Sequence, residues 1–139
     1  MIDILIVTHG TLGAAFIETA KLIVGDTSGV SSIGFHHGDD TDELEEKIHL
    51  KIEETLKAER QLLIFVDLLG GSPSNRTAMN LGDLSADLDQ VDCLVGINLP
   101  MLLEALMGAK TAESVKQLKG ICLSSGTEGI RDLKAAIGL

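Results

Sequence analysis

Short runs of branched apolar residues alternate along the chain with segments of helical periodicity. The runs have the length and branching of buried strands, and they begin about thirty residues apart, as strands joined by crossover helices do. They cover residues 2–7, 30–35, 62–66, 91–97 and 120–123. The pattern predicts an α/β fold with a doubly wound, mostly parallel sheet of order 2-1-3-4 and helices on both faces. The fifth run is short, and the pattern leaves its direction and its partner chain open.

The segments between the runs predict helices of different character. One repeats an apolar residue at every fourth position, which indicates an amphipathic surface helix capped by Asp40 or Thr41. A more buried helix is expected over residues 12–24, ending at Gly25, and a terminal helix over residues 127–137. The residues of the apolar repeat are Leu44, Ile48, Ile52 and Leu56.

Composition excludes several classes of function. The 139 residues suit a single domain, 1–139, and 45% of them are hydrophobic. Only 2% are aromatic and the net charge is −10, so base stacking and phosphate-backbone binding both lack their usual means. We therefore expect no nucleic-acid partner, and a basic surface on any partner that charge attracts. No apolar stretch is long enough to span a membrane, and Cys93 and Cys122 are expected to be buried free thiols of a cytoplasmic protein.

Two polar motifs directly follow predicted strands. The first run ends at His9, and the third leads into Asp67. Strands 1 and 3 are neighbours in the expected order, so both side chains should lie in the crevice at the carboxyl ends of the strands. A carboxylate beside one ring nitrogen holds the tautomer that leaves the lone pair of the other nitrogen free. The pattern favours His9 as a nucleophile oriented by Asp67.

The segment after Asp67 predicts an anion site at a helix N-terminus. Ser72 before Pro73 is typical of a helix start, with the serine as the cap. Gly70 and Gly71 allow a tight turn that leaves the helix amides uncovered. Taken alone, this segment also fits an ordinary turn and cap. Together with His9, it predicts that phosphoryl oxygens contact Gly10, Gly71 and Ser72.

Other classes of phosphate-handling protein need residues that this chain lacks. A receiver domain needs an acidic pair after strand 1 for magnesium, where this chain has Thr8, His9 and Gly10. A histidine phosphatase of the mutase type needs an arginine before the His-Gly pair, and a Walker site needs a glycine-rich loop leading into Lys-Ser or Lys-Thr. His36 and His37 are interpreted as a solvated loop, because adjacent strand-end side chains point apart. No metal and no cofactor is expected.

Three ordered motifs resemble the enzyme IIA domain of the mannose type in the bacterial phosphoenolpyruvate-dependent sugar phosphotransferase system. They are residues 8–10, residues 65–67 continuing through 70–73 and Asn75, and residues 96–102, and the likeness covers nearly the whole chain. It implies that His9 is transiently phosphorylated, with Asp67 as its orienter and Ser72 facing the phosphoryl group. The group would come from a small carrier resembling HPr and pass to a IIB-type partner for sugar uptake. The resemblance also implies association with a membrane permease complex, and a homodimer that exchanges an antiparallel last strand.

Departures from the family pattern bear on partner choice. Leu69 stands where the family often has an aromatic residue, and Ser74 and Arg76 also differ. We expect Leu69, Pro100 and Met101 to line the docking surface.

Two other functions stay open. One is a regulatory module whose phosphorylation state controls its binding to another protein, and the other is the phosphocarrier subunit of dihydroxyacetone kinase. The chain ends at Leu139 without a fused IIB domain, so we expect a separate protein.

Overall fold

A four-stranded parallel sheet forms the centre of the computed structural model, which describes all 139 residues. Its order is β2-β1-β3-β4 and every neighbouring pair is parallel, which confirms the predicted order. The strands are β1 (Ile2–His9), β2 (Val30–Phe35), β3 (Gln61–Val66) and β4 (Val91–Val95).

Helices cover both faces of this sheet. They are α1 (Leu12–Val24), α2 (Thr41–Lys57), α3 (Ser72–Gly82), α4 (Leu99–Gly108), α5 (Val115–Glu128) and α6 (Leu133–Ala136), with a 3₁₀ helix at Ser85–Gln90. Alternate residues of β1 and β3 point into two apolar cores. Helices α1, α4 and α5 pack into one core with Phe65, and α2 packs into the other with Ile64. No helix has both the length and the apolar content needed to cross a bilayer.

The predicted fifth strand is absent, because residues 120–123 lie inside α5. A run of four apolar or small residues fits a strand or a helix equally well. The surrounding positions decide for the helix, since Val115, Leu118, Cys122 and Gly126 are buried at helical spacing. The terminal helix predicted over residues 127–137 is also wrong, as α5 ends at Glu128 and α6 holds only four residues.

Helix α1 has the predicted bounds but not the predicted burial. It ends at Gly25, whose φ of 79° suits glycine and whose N–H donates to the Lys21 carbonyl. Only Gly13 and Ala20 are buried in it, and Leu22 is 87% exposed. Apolar residues occur around this helix, but only one side of it packs against the sheet. A prediction made from its apolar composition therefore gives too much burial.

The carboxyl edge of the sheet carries the crevice that the sequence indicated. Val7 of β1 pairs with Val66 of β3, so β1 ends at His9 beside the point where Asp67 follows β3. Helix α1 packs on one face of the sheet and α3 on the other. The two chain segments therefore separate at this edge and leave the imidazole between them.

Candidate functional site

The carboxylate of Asp67 binds both the backbone and the side chain of His9. Its Oδ2 accepts from the His9 amide at 2.9 Å and lies 2.8 Å from Nδ1 of the imidazole. Its Oδ1 accepts from the Leu68 amide at 2.9 Å. The side chain of Asp67 is 8% exposed, whereas that of His9 is 47% exposed. The buried carboxylate thus anchors one edge of a ring that is about half exposed to solvent.

The charge on Asp67 decides which imidazole nitrogen carries the proton. Burial raises the pKa of Asp67, but hydrogen bonds from the His9 amide, the imidazole and the Leu68 amide together lower it below its ordinary value. Asp67 is then an acceptor without a proton at neutral pH, so Nδ1 must donate. The lone pair of a neutral His9 ring lies on Nε2. A ring held in this tautomer is suited to nucleophilic attack through Nε2.

Gly71 touches the reactive edge of the imidazole. A methyl group at Gly71 would lie 2.6 Å from Cε1 and 3.1 Å from Nε2 of His9. Both distances are shorter than ordinary van der Waals contact, so the ring position requires glycine here. The Nε2 edge consequently faces the start of α3.

The first turn of α3 begins beside the imidazole and contains amides that have no partner within the helix. Gly71, and not Ser72 as predicted, is the N-cap, because its extended backbone precedes the helix. Ser72 therefore lies in the first turn and its hydroxyl caps no amide. Pro73 follows in this turn, which contains no acidic residue. First-turn amides have no partner within the helix, so this N-terminus attracts negative charge beside Nε2.

The turn after His9 is fixed by contacts that the sequence did not indicate. Gly10 has a φ of 56°, and its amide donates to the Phe35 carbonyl at 2.8 Å. That amide already has an acceptor and is not free to donate to a phosphoryl oxygen, while contact between Gly10 and the phosphoryl group stays a prediction. Buried Thr8 accepts from the Gly13 amide at 2.9 Å and ties β1 to α1.

Gly34 and Phe35 of β2 support the same turn. A methyl group at Gly34 would overlap the carbonyl oxygen of Gly10. The Phe35 ring meets the His9 ring edge-on, with centroids 6.4 Å apart and an interplanar angle of 75°. A glycine inside a strand marks close backbone approach, which is the signal that could have identified Gly34.

The three expected docking residues occupy different environments. Leu69 is 78% exposed and lies two residues after Asp67. Pro100 is half-buried, and a methyl group at Gly129 would lie 2.6 Å from its Cγ. Met101 is only 4% exposed and belongs to the core, so it cannot form part of a docking surface as expected.

Asn98 explains why residues 100 and 101 face inward. Its Oδ1 accepts from the Met101 amide at 3.1 Å, which begins α4. Its Nδ2 donates to the Gly126 carbonyl at 2.9 Å. The segment after β4 therefore fastens α4 to the end of α5, and Met101 packs against Gly126.

The remaining histidines and cysteines form no second centre. No group of three His, Cys, Asp or Glu side chains is arranged to hold a metal ion. His36 and His37 are exposed, and the His36 amide donates to Asp39 Oδ2 at 2.7 Å. Burial raises the pKa of the Cys93 and Cys122 thiols to about 12, so neither is a thiolate at neutral pH.

Several known proteins are similar to this chain in sequence. Residues 3–121 match the EIIA-man family, described as the PTS system fructose IIA component. The mannose-specific EIIAB component of Escherichia coli K12 is 31% identical over 134 residues, which are 96% of this chain and 40% of that protein. The chain thus spans less than half the length of that relative. The fructose-specific EIIA component of Bacillus subtilis is 32% identical over 106 residues, 76% of this chain and 69% of that protein.

Solved structures agree with these matches. Phosphotransferase system component EIIA from Streptococcus agalactiae superposes with a TM-score of 0.84 at 29% identity, covering 97% of this chain and 99% of that one. The mannose/sorbose-specific IIA subunit from Enterococcus faecalis gives a TM-score of 0.79 at 21% identity, covering 94% and 92%, and shows the fold alone. The family match and the two relatives lead to one conclusion: the chain belongs to the mannose-type EIIA family of the sugar phosphotransferase system.

Proposed function

We propose that this chain carries a phosphoryl group on Nε2 of His9. It accepts the group from the phosphohistidine of an HPr-like carrier and passes it to a histidine of a IIB-type protein for sugar uptake. The observation that carries the proposal is the 2.8 Å contact between Nδ1 and Asp67, which leaves Nε2 beside the uncovered start of α3.

The chemistry of the step needs only positioned groups. The Nε2 lone pair attacks phosphorus while the phosphorus–nitrogen bond to the donor imidazole breaks, and that electron pair returns to the donor ring. The His9 ring becomes cationic as the bond forms, and the Asp67 carboxylate stabilises it through Nδ1–H. First-turn amides of α3 and the Ser72 hydroxyl donate to the phosphoryl oxygens. Such a transfer depends on alignment and charge stabilisation, and reversal of the same step delivers the group to the acceptor.

Labelling tests this proposal directly. The chain is incubated with HPr that carries a radioactive phosphoryl group, and the product is treated with acid and with base. We expect one label that is lost in acid and stable in base, and that is absent from His9→Ala. His49→Ala is the matched control, since His49 is exposed on α2, and it should be labelled like the wild type. No label on the wild type, or a label retained by His9→Ala, would contradict the proposal.

The same proposal includes the partner proteins of this chain and its oligomeric state. Residues 1–139 act as one EIIA domain in the cytoplasm, with HPr-like and IIB-type proteins and a membrane permease complex as partners. We also propose a homodimer, and the exchange of the last strand between its subunits stays a prediction. Family membership supports the dimer, and so does apolar surface on the last residues, where Ile130 is 79% and Leu133 is 72% exposed. Sedimentation of the chain at rising concentration tests it, and a mass that stays monomeric would contradict the dimer.

A further inference from the structure

Arg76 joins α3 to the first turns of α2. Its Nη1 donates to Asp42 Oδ1 at 3.0 Å and to Glu45 Oε2 at 2.9 Å, and its Nη2 donates to Thr41 Oγ1 at 2.9 Å. The Arg76 and Glu45 side chains are 23% and 28% exposed, whereas that of Asp42 is 81% exposed. A single guanidinium group therefore faces two carboxylates.

This contact lies one helical turn from the candidate site. Ser72, Arg76 and Asn80 are four residues apart, so they share one face of α3. Asn80 Nδ2 donates to the Glu45 carbonyl at 3.1 Å, which shows that this face packs on α2. Both helices begin at the carboxyl edge of the sheet. The start of α2 is therefore joined through Arg76 to the helix whose first turn adjoins His9.

The start of α2 is strongly acidic. Asp40 is its N-cap, and Asp42 and Glu43 lie in its first turn. Glu45 follows, on a chain whose net charge is −10. These carboxylates suit the positive end of their own helix. The same charges oppose a second anion nearby, and at 0.1 M salt such repulsion extends to about 10 Å.

We propose that Arg76 is a positioning residue for phosphoryl transfer, an inference that rests on the proposed function. It offsets one of the two negative charges of Asp42 and Glu45 and so weakens the repulsion between the start of α2 and the phosphoryl group at His9. Its three hydrogen bonds also hold α2 and α3 together beside the site. Arg76 does not touch the reacting atoms and acts through the field at the start of α3.

Charge variants separate this role from a purely structural one. Arg76→Met is expected to accept the phosphoryl group from labelled HPr about threefold to tenfold more slowly at low salt. This is the order of magnitude for one unit charge acting near a protein surface. Arg76→Lys keeps the charge and should stay close to the wild type. The triple variant Arg76→Met, Asp42→Asn, Glu45→Gln removes both carboxylate charges together with the arginine charge. Its labelling rate should return to within about twofold of the wild-type rate. At 1 M salt, where the screening length is about 3 Å, the four proteins should converge.

A second pair of measurements keeps the inference distinct from the proposed function. The double variant Asp42→Asn, Glu45→Gln leaves Arg76 unpaired, so it should be labelled faster than the wild type even if Arg76→Met fails to fold. Inorganic phosphate is then titrated onto each protein, with the amide NMR signals of Gly71 and Ser72 as the readout. The order of phosphate affinities should follow the order of labelling rates.

Results that would refute the proposed function differ from those that would refute the role of Arg76. Absence of label on the wild type refutes the proposed function, while the phosphate titration still reports on Arg76. A triple variant that binds phosphate as weakly as Arg76→Met would overturn the inference and leave Arg76 a structural clamp. Phosphate binding to Arg76→Met that equals wild-type binding at low salt would overturn it as well.

Discussion

Replacing Gly71 by alanine is expected to slow phosphoryl transfer strongly while leaving the fold intact. The added methyl group would lie 2.6 Å from Cε1 of His9, and ordinary contact begins at 3.4 Å, so the ring must move by 3.4 − 2.6, or about 0.8 Å. Alanine causes no backbone strain at this position, where φ is −89° and ψ is 174°. The imidazole is 47% exposed and can swing towards solvent, so the cost to stability is small.

The effect on transfer should be much larger than the effect on stability. A misplacement of about 1 Å at a reacting group reduces a rate by about 100-fold. We therefore expect labelling by phosphorylated HPr to fall by about 100-fold, with a loss of unfolding free energy below about 1 kcal/mol, as for a mutation that an exposed side chain can accommodate. The rates come from timed labelling, and the stabilities from urea unfolding.

Gly82→Ala is the matched control at the other end of α3. Nothing lies within 4 Å of a methyl group at Gly82, so this variant should be labelled at the wild-type rate. Nitrogen NMR of the imidazole should show His9 bound to Asp67 in Gly82→Ala and released in Gly71→Ala. Labelling of Gly71→Ala at a rate within threefold of the wild type would refute the steric reasoning.

Three further outcomes follow from contacts around the same edge. The pKa of Asp67 is lowered in the folded chain, so the stability it contributes is present above its unfolded pKa of about 4 and is lost as pH falls through the folded pKa. The free energies of unfolding of the wild type and of Asp67→Asn should therefore converge in acid, and a difference that persists there would contradict this. Gly34→Ala places a methyl group on the Gly10 carbonyl and should cost about 1–3 kcal/mol in urea unfolding; an unchanged midpoint would refute the contact. Thr8→Val leaves the Gly13 amide without its acceptor and should cost about 1–3 kcal/mol, whereas equal stability would show that another acceptor replaces it.

The meeting of His9 with Asp67 could be predicted because it depends only on topology. Two buried strands in a 2-1-3-4 sheet bring their carboxyl ends together whatever the surrounding side chains are. The glycines after Asp67 indicated the helix start beside His9 for a similar reason, since a tight turn before a helix depends on the backbone and not on a particular side chain. The error at Ser72 was one residue, because glycine in an extended conformation also serves as an N-cap.

The remaining errors concern contacts between segments distant in sequence. Residues 120–123 form part of α5 because Leu118 and Cys122 pack against the sheet, and the short run itself fits both periods. Met101 is buried because α5 covers it, which nothing in the sequence around it indicates. Arg76 and Glu45 are 31 positions apart in the sequence, and their ion pair joins α3 to α2. Such pairings arise from the packing of elements and not from local pattern.

The half-exposed imidazole has a consequence for the lifetime in water of the phosphoryl group that we propose it carries. The side chain of His9 is 47% exposed, and Asp67 and the start of α3 contact it from the protein side. In the proposed transfer, the molecule that donates or receives the group covers the exposed side of the ring when it docks. Water is then excluded only during the encounter, when transfer competes best with hydrolysis. A shallow site of this kind gives each partner the same access to the nitrogen that, in our proposal, both accepts and releases the group.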